Sequence, residues 1–180
     1  MTDMVWLSIT PSDALDPEAR KAVSELRRRA ILDMPGAVYS PAQKRRWLEL
    51  AEASDEERTE HDVTLRAFAA RGGVVNALLG FAELDVELGE LSALFVCPSS
   101  AGCGVGSLLF RAVEAEARRA HLLRLTLTAS LDALGFYARM GFGRHRLGHA
   151  FVDGEAQFPV ALLTKPVGRP TRRRARLATP

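Results

Sequence analysis

Residues 91–106 read LSALFVCPSSAGCGVG, and the helical run Ser107 to Ala120 follows. The apolar beginning predicts a short strand ending at Pro98. A loop of small residues comes next, and then Gly102, Gly104 and Gly106, at alternate positions, open an amphipathic helix. The first turn of a helix has backbone N–H groups without intrahelical partners and carries partial positive charge. A loop stripped of side chains at that point lets a phosphate approach the main chain. The stretch therefore reads as a cradle for a diphosphate.

Two common phosphate-binding patterns do not fit. A P-loop needs a lysine directly after its last glycine, and none follows Gly106. A dinucleotide fingerprint needs GxGxxG and an acid ending the next strand, but the spacing here is GxGxG and the strand Leu122 to Thr128 carries no acid. Residues 129–142, ASLDALGFYARMGF, come next. Ala133, Phe136, Tyr137 and Met140 recur at helical spacing, and Gly141 then Phe142 stop the helix and restart a strand.

Loop and helix together, in this order and separation, resemble two motifs of the GNAT acetyltransferases. The acyl-CoA loop of that superfamily, (Q/R)xxGx(G/A), is matched by Ala101, Gly102, Cys103, Gly104, Val105 and Gly106, with Ala101 where a Gln or Arg side chain is usual. The second stretch matches its A…(F)Y…GF helix. The resemblance implies the acyl-CoA N-acyltransferase fold, an α/β (α+β) arrangement. It has a mixed, mainly antiparallel central sheet, splayed between strands 4 and 5 and flanked by helices. Acetyl-CoA is then the acyl donor.

Composition fits one GNAT domain over residues 1–165 and a basic, disordered tail over 166–180. The 180 residues are 47% hydrophobic and 26% charged, enough to close a single core. No apolar run approaches a membrane span, and MTDMVWLSITP lacks the basic start and apolar centre of a secretory signal. Cys97 and Cys103 are the only cysteines, so no disulfide framework is implied and a cytoplasmic location is expected. They flank the loop, where a reactive thiol is conceivable, but inert small side chains are the commoner case. Lys165, Arg169, Arg172, Arg173, Arg174 and Arg176 place six positive charges in the last sixteen residues, which from the net of +2 leaves −4 for the rest. The tail reads as a solvated end, with contact to nucleic acid, the ribosome or an acidic partner as the sharper alternative; for the chain as a whole nucleic acid is the less expected partner, a membrane is not expected, and a homodimer is left open.

Along the chain, Val5 to Ile9 predicts a strand and Pro17 to Leu32 an amphipathic helix started by Asp16. Arg27, Arg28 and Arg29 read as solvated charges near its C-terminus. A second helix opens at Ser40-Pro41 and runs through Trp47 to about Ala53, followed by a polar linker over residues 54–60. Strands are predicted over Val63 to Ala70, Val74 to Leu84, Phe142 to Val152 and Gln157 to Lys165, the last two as a hairpin around Asp153-Gly154. The helix after the glycine loop buries Val105, Leu108, Leu109, Ala112 and Val113 and turns Arg111, Glu114, Arg118 and Arg119 outward.

The resemblance also assigns roles. The backbone of Leu94, Phe95 and Val96, at the splay, pairs with the pantetheine arm. Gly102, Cys103, Gly104, Val105, Gly106 and Ser107 hold the diphosphate. Tyr137 stands where the superfamily usually places its general acid, against the plainer reading of a core aromatic. Ser130 either reaches the pantetheine or caps the next helix, and the cap is favoured because serine suits it with or without ligand. Tyr39 and Trp47 match a region that forms one wall of the acceptor pocket, although Trp47 would serve equally as a core anchor.

An acyl transfer needs a donor for the developing oxyanion, for which a backbone N–H near Leu94 is at hand. The acceptor amine must lose a proton, and the candidate bases are Glu83, Asp85, Glu87 and Glu90, with Glu90 and Glu83 best placed. Metal is not expected: His145 and His149 in a strand lie about 13 Å apart, and His61 and His121 stand alone. The expected function is acetyl transfer to a primary amine of a small molecule or peptide by direct attack. The alternatives are a non-catalytic acyl-CoA sensor and a protein or ribosomal-protein N-acetyltransferase.

Overall fold

The computed structural model describes residues 5–11, 15–34, 37–57, 65–72, 76–152 and 155–168. In chain order these form β1 (Val5–Pro11), α1 (Pro17–Leu32), α2 (Pro41–Glu57), β2 (Leu65–Gly72), β3 (Ala77–Asp85), β4 (Glu90–Val96), α3 (Val105–Arg119), β5 (Arg124–Ala129), α4 (Leu134–Arg139), β6 (Arg144–Val152) and β7 (Glu155–Pro166). The strands make one seven-stranded sheet in the order β1-β2-β3-β4-β5-β7-β6. Every neighbouring pair is antiparallel except β4 and β5, which run parallel. This is the mixed, mainly antiparallel sheet expected from the sequence.

Local chemistry explains where the helices begin and end. Asp16 caps α1, its carboxylate accepting from the Ala19 N–H at 2.7 Å. At α2, Ser40 Oγ accepts from the Gln43 N–H at 3.3 Å and Gln43 Oε1 accepts from the Ser40 N–H at 2.9 Å, a reciprocal capping box. Lys44 of α2 donates to the Leu32 and Met34 carbonyls at the end of α1, which fixes the angle between the two helices. Helix α3 ends with His121 in the left-handed region (φ 56) while the Leu122 N–H bonds the Ala117 carbonyl at 2.9 Å.

The main core lies between the sheet and α3. Phe68, Leu84, Leu109, Val113 and Leu125 are fully buried there, and Tyr137 of α4 packs edge-on against Phe142, which in turn packs against Phe110 of α3. A second cluster on the opposite face joins Val23 and Leu26 of α1 to Ala67 and Phe81. A third joins Tyr39 and Trp47 to Phe158 and Val160 of β7.

The separation of β4 from β5 has a visible cause. Glu83 opposes Ala93 while Leu84 opposes Leu91, so Ser92 is one extra residue in β4, a β-bulge. A bulge bends its strand and increases local twist. Beyond it β4 turns away, and the only register pair between β4 and β5 is Glu90 with Thr126. The sheet is closed at that end and open beside Leu94, Phe95 and Val96.

Several boundaries depart from the sequence reading. Helix α2 runs to Glu57, absorbing the first residues of the supposed linker. Strand β4 stops at Val96, and a short 3-10 turn, Pro98–Ser100, precedes the glycines. Strand β7 continues to Pro166, after which the Val167 N–H bonds the Leu123 carbonyl at 3.0 Å and Val167 joins the core. Ordered structure therefore passes residue 165, and the arginines at 169–176, like His61, lie outside the described residues.

One charge assigned to solvent, Glu114, is in fact largely buried, paired with the end of β7. Lys165 Nζ lies 2.7 Å from Glu114 Oε1, both side chains about one-seventh exposed, and also donates to the Met140 carbonyl over the Phe110 ring. Burial alone would raise the Glu114 carboxyl, but the hydrogen bond and charge of Lys165, with Arg118 beside it, hold its pKa below the ordinary value. Glu114 therefore does not point outward.

Candidate active site

The open end of the β4–β5 split leads into a cleft of about 850 Å³. Leu94, Phe95 and Val96 form one side and Thr128, Ala129 and Ser130 the other, with the glycine loop and the first turn of α3 at one end. Because β5 has diverged, the β4 backbone here has an edge free to pair with an extended ligand chain.

The three glycines serve different ends. Gly102 and Gly104 have φ of 77° and 85°, and a Cβ on either would meet nothing within 4 Å. Their requirement is conformational, and the loop surface in front of them is open. At Gly106 a Cβ would come within 3.3 Å of the Phe136 ring and 3.4 Å of Val96, so this glycine lets α3 approach α4 and β4 closely. Gly104 is the N-cap of α3 and offers no side chain. The first helical bond runs from the Leu108 N–H to the Gly104 carbonyl at 3.0 Å, which leaves the amides of Val105, Gly106 and Ser107 ahead of the ladder. Gly102, Gly104, Val105, Gly106 and Ser107 all line the cleft, whereas the exposed Cys103 does not, its sulfur turned back to 3.8 Å from the Ala101 carbonyl.

Tyr137 lines the same cleft, 7% exposed, wedged edge-on between Phe136 and Phe142. Burial pushes its phenol well above the ordinary tyrosine range. No hydrogen-bond partner for its hydroxyl is found among the described residues. A neutral phenol facing a cleft, without an internal acceptor, is suited to donating a proton to a group that arrives there.

Ser130 is placed beside the cleft, but its hydroxyl makes no cap bond to the following turn. The favoured cap role is therefore corrected. Tyr39 supplies that cap: its hydroxyl accepts from the Leu131 N–H at 2.8 Å and donates to the Pro159 carbonyl at 2.8 Å. Tyr39 is 1% exposed and stands behind the wall instead of on its face. Trp47 is on the face, its ring stacked on Phe158 at 4.8 Å and 16°.

The four carboxylates proposed as bases are not brought to the cleft lining. Asp85 accepts from the Glu87 and Leu88 N–H groups at 2.8 and 2.9 Å and organises the β3–β4 turn. Glu90 sits at the closed end of the split, four residues and about 13 Å along the strand from Leu94. Glu83 is 3% exposed, its carboxylate 3.4 Å from Ser92 Oγ. Among the described residues the carboxylate that lines the cleft is Asp132, in the middle of the short turn Leu131–Ala133 that Tyr39 caps.

Two cations also line it. Arg27, read from sequence as solvated, lies over the Phe95 ring at 5.8 Å and donates to the Ala51 carbonyl at 3.1 Å. The available signal was its place on the same helical face as Val23, Leu26 and Ala30. Arg139, at the end of α4, is the other. Among the described residues no three His, Cys, Asp or Glu side chains gather as a metal site.

Comparison with known proteins agrees with this geometry. The family model described as an acetyltransferase (GNAT) domain matches residues 36–158. Among solved structures, a GNAT-type N-acetyltransferase from Rhodopseudomonas palustris aligns with a TM-score of 0.72 at 24% identity over 88% of this chain and 94% of its own. The PaiA N-acetyltransferase of Thermoplasma acidophilum, solved with coenzyme A, aligns with a TM-score of 0.64 at 18% identity over 89% and 99%. A ribosomal-protein alanine N-acetyltransferase from Escherichia coli aligns with a TM-score of 0.61 at 16% identity over 93% and 98%. No functionally curated protein matches the chain. A bulged strand parting from its parallel neighbour, a glycine-opened helix at the parting and a family model covering both together show that the chain belongs to the GNAT acetyltransferases.

Proposed function

We propose that the protein moves the acetyl group of acetyl-CoA to a primary amine of a small molecule or peptide by direct attack. The observation that carries this reading is the meeting, in one cleft, of the free β4 edge, the unencumbered start of α3 and the Tyr137 hydroxyl. The residues fit the donor: open space before Gly102 and Gly104 admits phosphate, and the amides of Val105, Gly106 and Ser107 point a partial positive charge at it. When bound, acetyl-CoA supplies an activated acyl group as a thioester. Leu94, Phe95 and Val96 orient its pantetheine arm by main-chain pairing, and an N–H near Leu94 holds the oxygen on which charge develops. Tyr137 protonates the departing sulfur, whose own pKa of about 8.5 makes this help moderate.

The test is thiol release from acetyl-CoA across a panel of amines, with calorimetric binding of acetyl-CoA beside it. Release above the amine-free rate supports transfer. Absence of binding refutes the reading outright. A second reading, an acyl-CoA sensor without turnover, is favoured by the place of Glu90 at the closed end of the split. Binding without release on any amine would select it.

A further inference from the structure

The bulge that parts β4 from β5 also releases one side chain from the alternation of the strand. Leu91, Leu94 and Val96 face the main core, and Ala93 and Phe95 face the cluster under α1. Leu91 and Leu94 are separated by an odd number of positions, so they share a face only because Ser92 is the extra residue between them. Ser92 is exposed and lines the cleft. It stands midway along β4 between Glu90, where the split is closed, and Leu94, where it is open. Its hydroxyl proton is already engaged: Ser92 Oγ donates toward the buried Glu83, at 3.3 Å from the main-chain carbonyl and 3.4 Å from Oε2. A hydroxyl has one proton and two lone pairs, so with that proton turned toward β3 it presents an acceptor to the cleft.

Resting on the acetyl-transfer reading above, we propose that Ser92 Oγ accepts an N–H of the acceptor amine and so aims its lone pair at the thioester. Two strand residues span about 6.6 Å. That separation accommodates a carbonyl oxygen on the N–H near Leu94, with the amine nitrogen about 3–3.5 Å from the carbonyl carbon and hydrogen-bonded to Ser92 on its far side. Holding one N–H fixes the direction of the lone pair, which is what attack requires. In the transfer, nitrogen bonds the carbonyl carbon and sulfur leaves with the Tyr137 proton. The proton that nitrogen sheds goes to water, from which Tyr137 is restored. Ser92 keeps its own proton throughout, and Glu83 acts only by holding that hydroxyl in place.

The experiment uses the full chain and two bisubstrate probes. One is coenzyme A S-alkylated with N-propylacetamide, whose amide nitrogen stands where the amine attacks; the other is the same molecule N-methylated, which lacks the N–H. Dissociation constants are measured by calorimetry for the native chain and for Ser92→Ala, which removes only a hydroxyl from an exposed position. N-methylation should weaken binding to the native chain by about threefold or more beyond its effect on Ser92→Ala. Equal ratios in the two chains, or a larger one in Ser92→Ala, overturn the proposal. Coenzyme A alone should bind both chains equally. Its loss in Ser92→Ala would make the serine a support of the strand and would also overturn the proposal. Because the readout is binding, the two readings fail separately. Coupling in a chain that releases no thiol faults acetyl transfer and leaves the Ser92 contact, whereas thiol release without coupling faults Ser92 alone.

Discussion

The 2 tyrosines of this chain are put to opposite uses. Tyr137 keeps its hydroxyl at the cleft without a protein partner, and Tyr39 spends its hydroxyl on two backbone groups. Because burial holds the Tyr137 phenol high, it stays protonated across the neutral range and can act as an acid there. Tyr137→Phe should lower kcat by about tenfold or more while acetyl-CoA affinity by calorimetry stays within a factor of about two. Full activity would reassign the ring to packing with Phe136 and Phe142. Gly104 makes a second single-residue prediction. Gly104→Ala meets open space but must hold φ near 85°, a cost of about 1–2 kcal/mol in a denaturation curve. Gly104→Asp adds a negative charge at the mouth of α3 and should abolish acetyl-CoA binding; retained affinity would refute the cradle.

At the level of elements, the glycine loop and α4 were readable in the sequence because their demands are local: left-handed backbone, close helix approach and helical spacing. The bulge at Ser92 was not, since an extra residue shows only in the pairing of two strands. That is why Glu90, adjacent to the active strand in sequence, looked well placed and is at the closed end of the split. Arg27 was misread for a related reason, because three consecutive arginines look uniform until the helix face of each is known. Arg29 pairs with Glu25 at the surface at 2.8 Å while Arg27 turns into the cleft. The tie between α3 and β7 is likewise non-local. Removing Lys165 leaves the largely buried Glu114 carboxylate with only the exposed Arg118 beside it, so Lys165→Ala should cost about 2–4 kcal/mol by urea denaturation. Glu114 has a lowered folded pKa, so its stabilisation is complete above its unfolded value near 4.5 and is lost as pH falls through the folded value. The urea midpoint of the native chain should fall more steeply below that pH than that of Glu114→Gln.

For the molecule as a whole, the mixed, mainly antiparallel sheet parted between strands 4 and 5 followed from the family resemblance. Past the last strand, Val167 is a core residue whose N–H bonds the Leu123 carbonyl. A chain cut after Thr164 loses both Lys165 and Val167 and should melt well below one cut after Gly168. Equal Tm values would show that residues 165–168 add nothing to the core. Tyr39 has a wider consequence. Its single oxygen rivets the wall that faces the acceptor to the turn beside Ser130, where the donor's arm would lie. Anything that stiffens one bank of the cleft therefore stiffens the other, and the two substrates should bind cooperatively, each tightening the other by the same factor. Tyr39→Phe, by orphaning the Leu131 amide and the Pro159 carbonyl together, should bring that factor toward one in a double titration while leaving both binding surfaces chemically unaltered.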